Sequence, residues 1–183
     1  DLEVLVPLTA EERALYDDVR LAAVGELGEV TGDSKRFDVL AALTRLRLTA
    51  CHPKLVDAGW KGPTSKLQRL LELVKDLVGA QHRVLVFSQF TSHLALVVEA
   101  LRVEGLVFSY LDGQVPVAER QRRVERFQRG EGGDVFLVSL KAGGTGLTLT
   151  AAHYVIHLDP LWNPAVEDQA SDRAHRLGQT KPV

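Results

Sequence analysis

The chain of 183 residues contains no methionine and only one cysteine, Cys51. Without an initiating methionine, it is expected to be a fragment of a longer protein. One thiol can make neither an internal disulfide nor a cysteine-cluster zinc site, so Cys51 reads as a buried or half-buried thiol. No apolar run approaches the roughly 20 residues that span a bilayer, and no basic region followed by an apolar stretch opens the chain. Neither membrane nor secretion is indicated. A formal net charge of −2 supplies no global basic field, so any contact with an anionic polymer must come from local clusters.

Several kinds of chemistry are also missing. No Gly-x-x-x-x-Gly-Lys-Ser/Thr phosphate loop occurs, because Lys141 precedes its glycines and Lys66 lacks the spacing, and no apolar strand ends in an Asp-Glu pair. Ser88 and Ser139 lack the Gly-x-Ser-x-Gly elbow of a hydrolase. His153 and His157 lie four apart on a presumptive strand, a separation of roughly 13 Å and too far to share a metal. No metal site is expected. The acidic pair Asp17 and Asp18 falls within a helical pattern marked by Leu15, Val19, Ala22 and Ala23, so it reads as surface and not as catalytic carboxylates.

The composition, 45% hydrophobic and 25% charged, is ordinary for a globular domain with a sizeable core and suits one domain plus an appendage. No internal repeat or low-complexity segment interrupts it. Alternation over Asp1 to Leu8 suits a short strand, and Thr9 followed by Glu12 makes a capping-box start to a helix that should reach Gly25 to Gly28. Leu40, Leu43, Leu46 and Leu48 mark a second helix ended by Pro53. The glycine- and proline-rich stretch Asp57 to Pro63 divides a helical lead-in, residues 1–60, from the main domain, residues 61–183.

In the main domain, short apolar runs alternate with helical patterns. A helix capped by Thr64 or Ser65 should reach Val78, with further helices at Ser92–Glu104, Val117–Arg129 and Ala165–Leu177. Strands are expected at Val84–Phe87, Leu106–Tyr110, Asp134–Val138 and Tyr154–Leu158. This alternation implies an α/β fold with a parallel sheet covered by helices on both faces. Ligands of such sheets gather at the carboxyl ends of the strands. Ser88 to Phe90, Asp112 to Gly113, Ser139 to Gly146 and Asp159 to Asn163 all fall on that rim.

Two stretches carry the chemistry. Ala142 to Thr150 places three glycines and three threonines directly after an apolar run, so bare N–H groups and small hydroxyls cluster where a strand turns into a helix. Such a cluster suits phosphate or is only a turn. Asp168 to Gln179 puts Gln169, Arg173 and Arg176 on one helical face, and two guanidinium groups so placed suit a polyphosphate or make a solvated face. Arg120, Arg122, Arg123, Arg126 and Arg129 likewise give a helix a basic face that either binds or is solvated.

Taken in order, these segments resemble the Swi/Snf-type ATPases of helicase superfamily two. VLVFSQF at Val84 to Phe90 resembles motif IV, Ser139 to Ala152 motif V, Asp159 to Ala165 the tryptophan-bearing segment after it, and DRAHRLGQ within Asp168 to Gln179 motif VI. YLDG at Tyr110 to Gly113, with Arg120 and Phe127, matches the family's DG segment. LRLTACHPKL resembles the leucine- and arginine-rich run ending in His-Pro that precedes the second lobe. Thr148 departs from the pattern, since asparagine is common before Leu-Thr.

The resemblance implies the second, C-terminal RecA-like lobe, truncated at its C-terminal end, with the helical lead-in linking to a first lobe absent from the chain. ATP and Mg2+ would be held mainly by that first lobe. Arg173 and Arg176 would be arginine fingers, Gln169 would help orient them, and Gly144 and Gly146 would approach the nucleotide. Ser88, Gln89, Ser139, Lys141, Gly143 and Thr145 would grip phosphates of one strand of double-stranded DNA without reading bases. Trp162 would lie against the DNA, or else in the core. The implied whole is a DNA-dependent ATPase that translocates on duplex DNA and remodels protein–DNA complexes, cytoplasmic and nucleoid-associated, or nuclear in a eukaryote. The alternatives are an RNA-polymerase-associated recycling ATPase, a strand-separating helicase, and a non-catalytic nucleic-acid-binding module. Partners would include the first lobe and RNA polymerase or another DNA-bound protein, with no membrane.

Overall fold

Val84–Ser88 and Val135–Ser139 are apolar runs closed by a serine, and each forms a five-residue strand, β1 and β3, in which every residue is buried. The computed structural model describes residues 2–28, 32, 34–143 and 146–160. A strand with no solvent face must be covered above and below, which is the state of a parallel sheet between helical layers. The sheet has the order β2-β3-β1-β4, with β2 at Phe108–Leu111 and β4 at Tyr154–His157, and every pair is parallel.

Alternation along the strands divides the core. Leu85 and Phe87 of β1 join Phe136 and Val138 of β3 in a cluster with Leu111 and with Val124 and Phe127 of helix α5 (Val117–Gln128). Val84, Val86, Val135 and Leu137 point to the opposite face. Helix α4 (Thr91–Val103) packs against β1 and β3 and buries Leu94, Val97 and Leu101, none of them in that cluster, so it covers the second face. At the amino end of β1, the Arg83 guanidinium lies 3.9 Å from the Phe127 ring centroid and 3.6 Å from Asp134.

The chain divides into two compact units, Asp1–Leu70 and Leu71–Val183. In the first, α1 (Ala10–Gly28) and α2 (Ser34–Cys51) pack together, a 3-10 turn spans Pro53–Leu55, and α3 (Ser65–Gly79) begins. The capping box forms as expected, with Thr9 N donating to Glu12 Oε1 (3.1 Å) and Glu12 N to Thr9 Oγ1 (3.2 Å). The same carboxylate accepts from Ser65 N (3.2 Å) and from the Ser65 hydroxyl, so Glu12 also satisfies the first residue of α3. Burial opposes the charge of Glu12, yet the bonds from Ser65 and Thr9 outweigh it and hold the pKa below its ordinary value.

Three expectations change. Residues 2–9 form no strand: Leu2 is 88% and Leu5 82% exposed, and alternation without a neighbouring strand or a buried face has nothing to stabilise it. The leucines that mark α2 are not its buried positions, since Leu40 is 61% exposed while Ala42, Thr49 and Cys51 are buried. In α1 the buried residues are Glu12 and Ala23. Finally, β2 starts at Phe108 and not at Leu106. Gly105 at φ +69° closes α4, Gly105 N bonds to Arg102 O (3.1 Å), and Leu106 N bonds to Leu101 O (3.0 Å), so Leu106 finishes the helix. The expected helix Ala165–Leu177 lies outside the described residues.

Gly133, just before β3, has φ +92°, and a Cβ there would stand 2.2 Å from the carbonyl oxygen of Val107, ahead of β2. Neither backbone can move without breaking the β2–β3 register. Gly133→Ala is expected to destabilise the chain by at least about 2 kcal/mol, measured as a lower urea midpoint. An unchanged midpoint would show that the two backbones are not tightly apposed.

Candidate nucleic-acid interface

The parallel register makes Ser88 and Ser139 partners at the carboxyl ends of β1 and β3. From β1 the chain runs to β2 on one side of the sheet, and from β3 to β4 on the other. Adjacent strands whose connections leave in opposite directions open a crevice at their carboxyl ends. Both serines stand there because each is the first polar residue after an apolar run, and both are buried.

Their hydroxyls are already engaged. Ser88 Oγ donates to Asp159 Oδ1 (2.6 Å) and accepts from Phe90 N (3.0 Å), which closes a tight turn over Ser88–Phe90. Ser139 Oγ accepts from Ala142 N (3.3 Å) and so caps the single turn of α6 (Leu140–Gly143). Neither side chain projects to solvent. Lys141 is exposed and Gln89 half-buried. The Gln89 amide nitrogen is itself covered and has no hydrogen-bond partner among the described residues.

Gly143 is buried, and a Cβ there would meet the Phe87 ring at 2.9 Å. Close packing alone therefore demands a glycine at this point of the loop. Gly146 is exposed at φ +79°, with open space where a Cβ would be, so its glycine is required by the backbone conformation instead. Gly144, Thr145, Trp162, Gln169, Arg173 and Arg176 lie outside the described residues. The described part of the candidate site thus comprises Ser88, Gln89, Ser139, Lys141, Gly143 and Gly146.

Asp159 and His93 were given no role from sequence, yet they organise this rim. Asp159 follows β4, and its carboxylate accepts from Ser88 Oγ, from Gln89 N (2.9 Å) and, at 3.4 Å, faces His93 Nδ1 on the first turn of α4. Asp159 and His93 are both buried. Burial works against the carboxylate charge, but the bonds from His93, Ser88 and the Gln89 backbone exceed it, and the pKa ends below its ordinary value. The sequence signal was a strand-end aspartate before Pro160, which marks the rim without naming a partner.

The basic helix α5 resolves differently. Arg120 donates to Val115 O and Gly113 O, both at 2.7 Å, and Arg123 to Tyr110 O at 2.7 Å, so both hold the turn after β2. Arg122 and Arg123 also pair with Glu119, and Arg126 and Arg129 with Glu131. The Arg123 bond draws the Glu119 pKa down, and the Arg129 bond does the same for Glu131. In the same turn the Tyr110 hydroxyl donates to Asp112 (2.8 Å), and burial followed by that carboxylate pushes its pKa up to about 12. The arginines of α5 are thus engaged with carbonyls and glutamates of their own surroundings.

Because the folded pKa of Asp159 is depressed, its stabilisation is present above the unfolded value of about 3.9 and is lost as pH falls through the folded value. Asp159→Asn is expected to cost about 2 kcal/mol at neutral pH, the worth of a charge-assisted bond. The gap between wild type and variant in urea unfolding should narrow below about pH 4. A gap that widens on acidification would contradict the ionised assignment.

The helicase conserved C-terminal domain model matches residues 65–178. The chain is similar to YwqA of Bacillus subtilis (strain 168), named as an ATP-dependent helicase/translocase, with 38% identity over 97% of the chain; it spans 20% of that protein's length. Among solved structures, it superposes on the C-terminal part of the Fun30 ATPase domain with a TM-score of 0.80 and 26% identity, covering 98% of this chain and 81% of that one. On the Sulfolobus solfataricus SWI2/SNF2 ATPase core in complex with dsDNA, the TM-score is 0.81 with 28% identity, covering 97% of this chain and 38% of that one. The chain therefore belongs to the helicase conserved C-terminal domain family and is, within it, the C-terminal RecA-like lobe of a Swi/Snf-type ATPase of helicase superfamily two.

Proposed function

We propose that this lobe works in a DNA-dependent ATPase that translocates along duplex DNA and remodels protein–DNA complexes, in the nucleoid or nucleus. The observation that carries the reading is the likeness, along nearly the whole chain, to a core solved with double-stranded DNA. The rim supports it: the carboxyl ends of β1 and β3 meet at Ser88 and Ser139, with Gln89 and Lys141 beside them. A motor that steps along any sequence needs phosphate contacts and no base readout. The partners in this reading are duplex DNA, the first RecA-like lobe of the same polypeptide, and a DNA-bound protein that is displaced.

ATP and Mg2+ are held mainly by the first lobe, which supplies the phosphate loop and metal-holding acid that this chain lacks. The part of this chain is electrostatic. Arg173 and Arg176, with Gln169 orienting them, face the γ-phosphate across the cleft and stabilise charge that develops as the phosphoryl group transfers. Gly144 and Gly146 let the backbone approach the nucleotide. Trp162 lies against the duplex and couples lobe movement to translocation along it.

In the full-length protein, Arg173→Lys and Arg176→Lys are each expected to lower turnover by about 10³ to 10⁵ while folding and DNA affinity stay near wild type. Lysine keeps the charge but loses the planar fork. The 183-residue chain alone should hydrolyse no ATP above background. Steady-state kinetics within a few-fold of wild type for both variants would reject the finger role and make the two arginines a solvated pair. For Trp162→Ala, DNA-stimulated turnover should fall further than DNA-free turnover, and equal losses would place Trp162 in the core.

A further inference from the structure

We infer that Asp159 is a positioning residue for the DNA interface, whose buried carboxylate fixes the turn after β1 so that the Gln89 amide is held ready for a phosphate oxygen. The inference rests on the DNA-translocase reading, in which Gln89 already meets phosphate, and adds a positioning residue to it. An aspartate at a rim that meets phosphates is electrostatically adverse unless its charge is consumed internally. Here it is. The carboxylate is buried and takes bonds from Ser88 Oγ and Gln89 N, with His93 Nδ1 facing it at 3.4 Å.

Two of those donors belong to one short turn, and Gln89 is its central residue. Ser88 Oγ ties the turn to itself through Phe90 N, while Asp159 anchors both Ser88 and the Gln89 backbone from the end of β4. The backbone of Gln89 is thus held from both sides. Its side-chain nitrogen, in contrast, is covered and has no partner among the described residues. A desolvated, unpaired donor is costly by itself, and because Gln89 as a whole is only half-buried its amide can turn on the fixed backbone to meet an acceptor that docks. On this rim the acceptor is an oxygen of the phosphate chain, which offers no sequence information and needs a contact of fixed height. Asp159 touches no DNA in this scheme and acts only through the turn.

The test measures duplex DNA affinity of the full-length protein by fluorescence anisotropy over a range of NaCl concentrations, for wild type, Asp159→Asn, Gln89→Ala and the double variant. Loss of one positioned neutral donor should weaken binding about tenfold in each single variant, equivalent to about 1.4 kcal/mol. The double variant should be no weaker than either. Because no cationic contact is removed, the slope of log affinity against log salt should stay at the wild-type value. Three other results overturn the inference. Tighter binding by Asp159→Asn with a steeper slope would mean that its charge merely repels DNA. Additive losses would separate Asp159 from Gln89. A shallower slope with a lowered melting temperature would mean that the rim collapses and cationic contacts go with it.

If Asp159→Asn does not fold, His93→Phe, which keeps a ring but has no nitrogen to offer the carboxylate, takes its place. It removes a single neighbour of the carboxylate and should weaken binding in the same direction, again without additivity to Gln89→Ala; no change would overturn the inference. Failure of the wild-type protein to bind duplex DNA would instead reject the translocase reading itself, before any variant is compared.

Discussion

Strand β1 is hydrogen-bonded to a parallel neighbour on each side and buried on both faces. Such a strand has no outlet for a polar side chain along its length, because every position faces a helical layer and every backbone group is committed to the ladder. Polar chemistry is confined to its ends. The carboxyl end brings Ser88 beside Ser139, and Leu158 N bonds to Phe87 O (2.9 Å), which carries the ladder one step past β4 and delivers Asp159 to the same place.

The rim built there is held by a charge that is spent internally. A carboxylate among apolar side chains is tolerated only when donors surround it, and Asp159 draws them from the β1 turn and from the first turn of α4. Three elements of unlike sequence are joined at one point. Glu12 plays a similar part in the other unit, where a single carboxylate ties the start of α1 to the start of α3. In both cases depressed acidity follows from the bonds received, against the effect of burial.

The lobe's cations follow the same economy. Lysine and arginine number 22 against 24 aspartates and glutamates, and the arginines of α5 are matched by Glu119, Glu131 and the carbonyls after β2. A lobe of this charge balance has no broad positive field. Its hold on DNA in the proposed function comes from a few placed donors, which suits a surface that must release and rebind at every step.

The sequence alone determined the parallel α/β architecture, since four short apolar runs separated by helical patterns admit little else. It also determined the rim, because a polar residue directly after each run must lie at a carboxyl end. The strand limits came within two residues, and the DRAHRLGQ signature carried the family. Tertiary structure decided what depends on distant partners. Residues 2–9 form no strand because their apolar side chains bury no face, and Leu106 goes to the α4 terminus because Gly105 turns the chain there. Gly143 must be glycine because Phe87, far away in sequence, fills the space. The role of Asp159 was invisible for the same reason: its partner Ser88 is 71 residues away, and periodicity reports which face a residue occupies but never which distant group it will meet there.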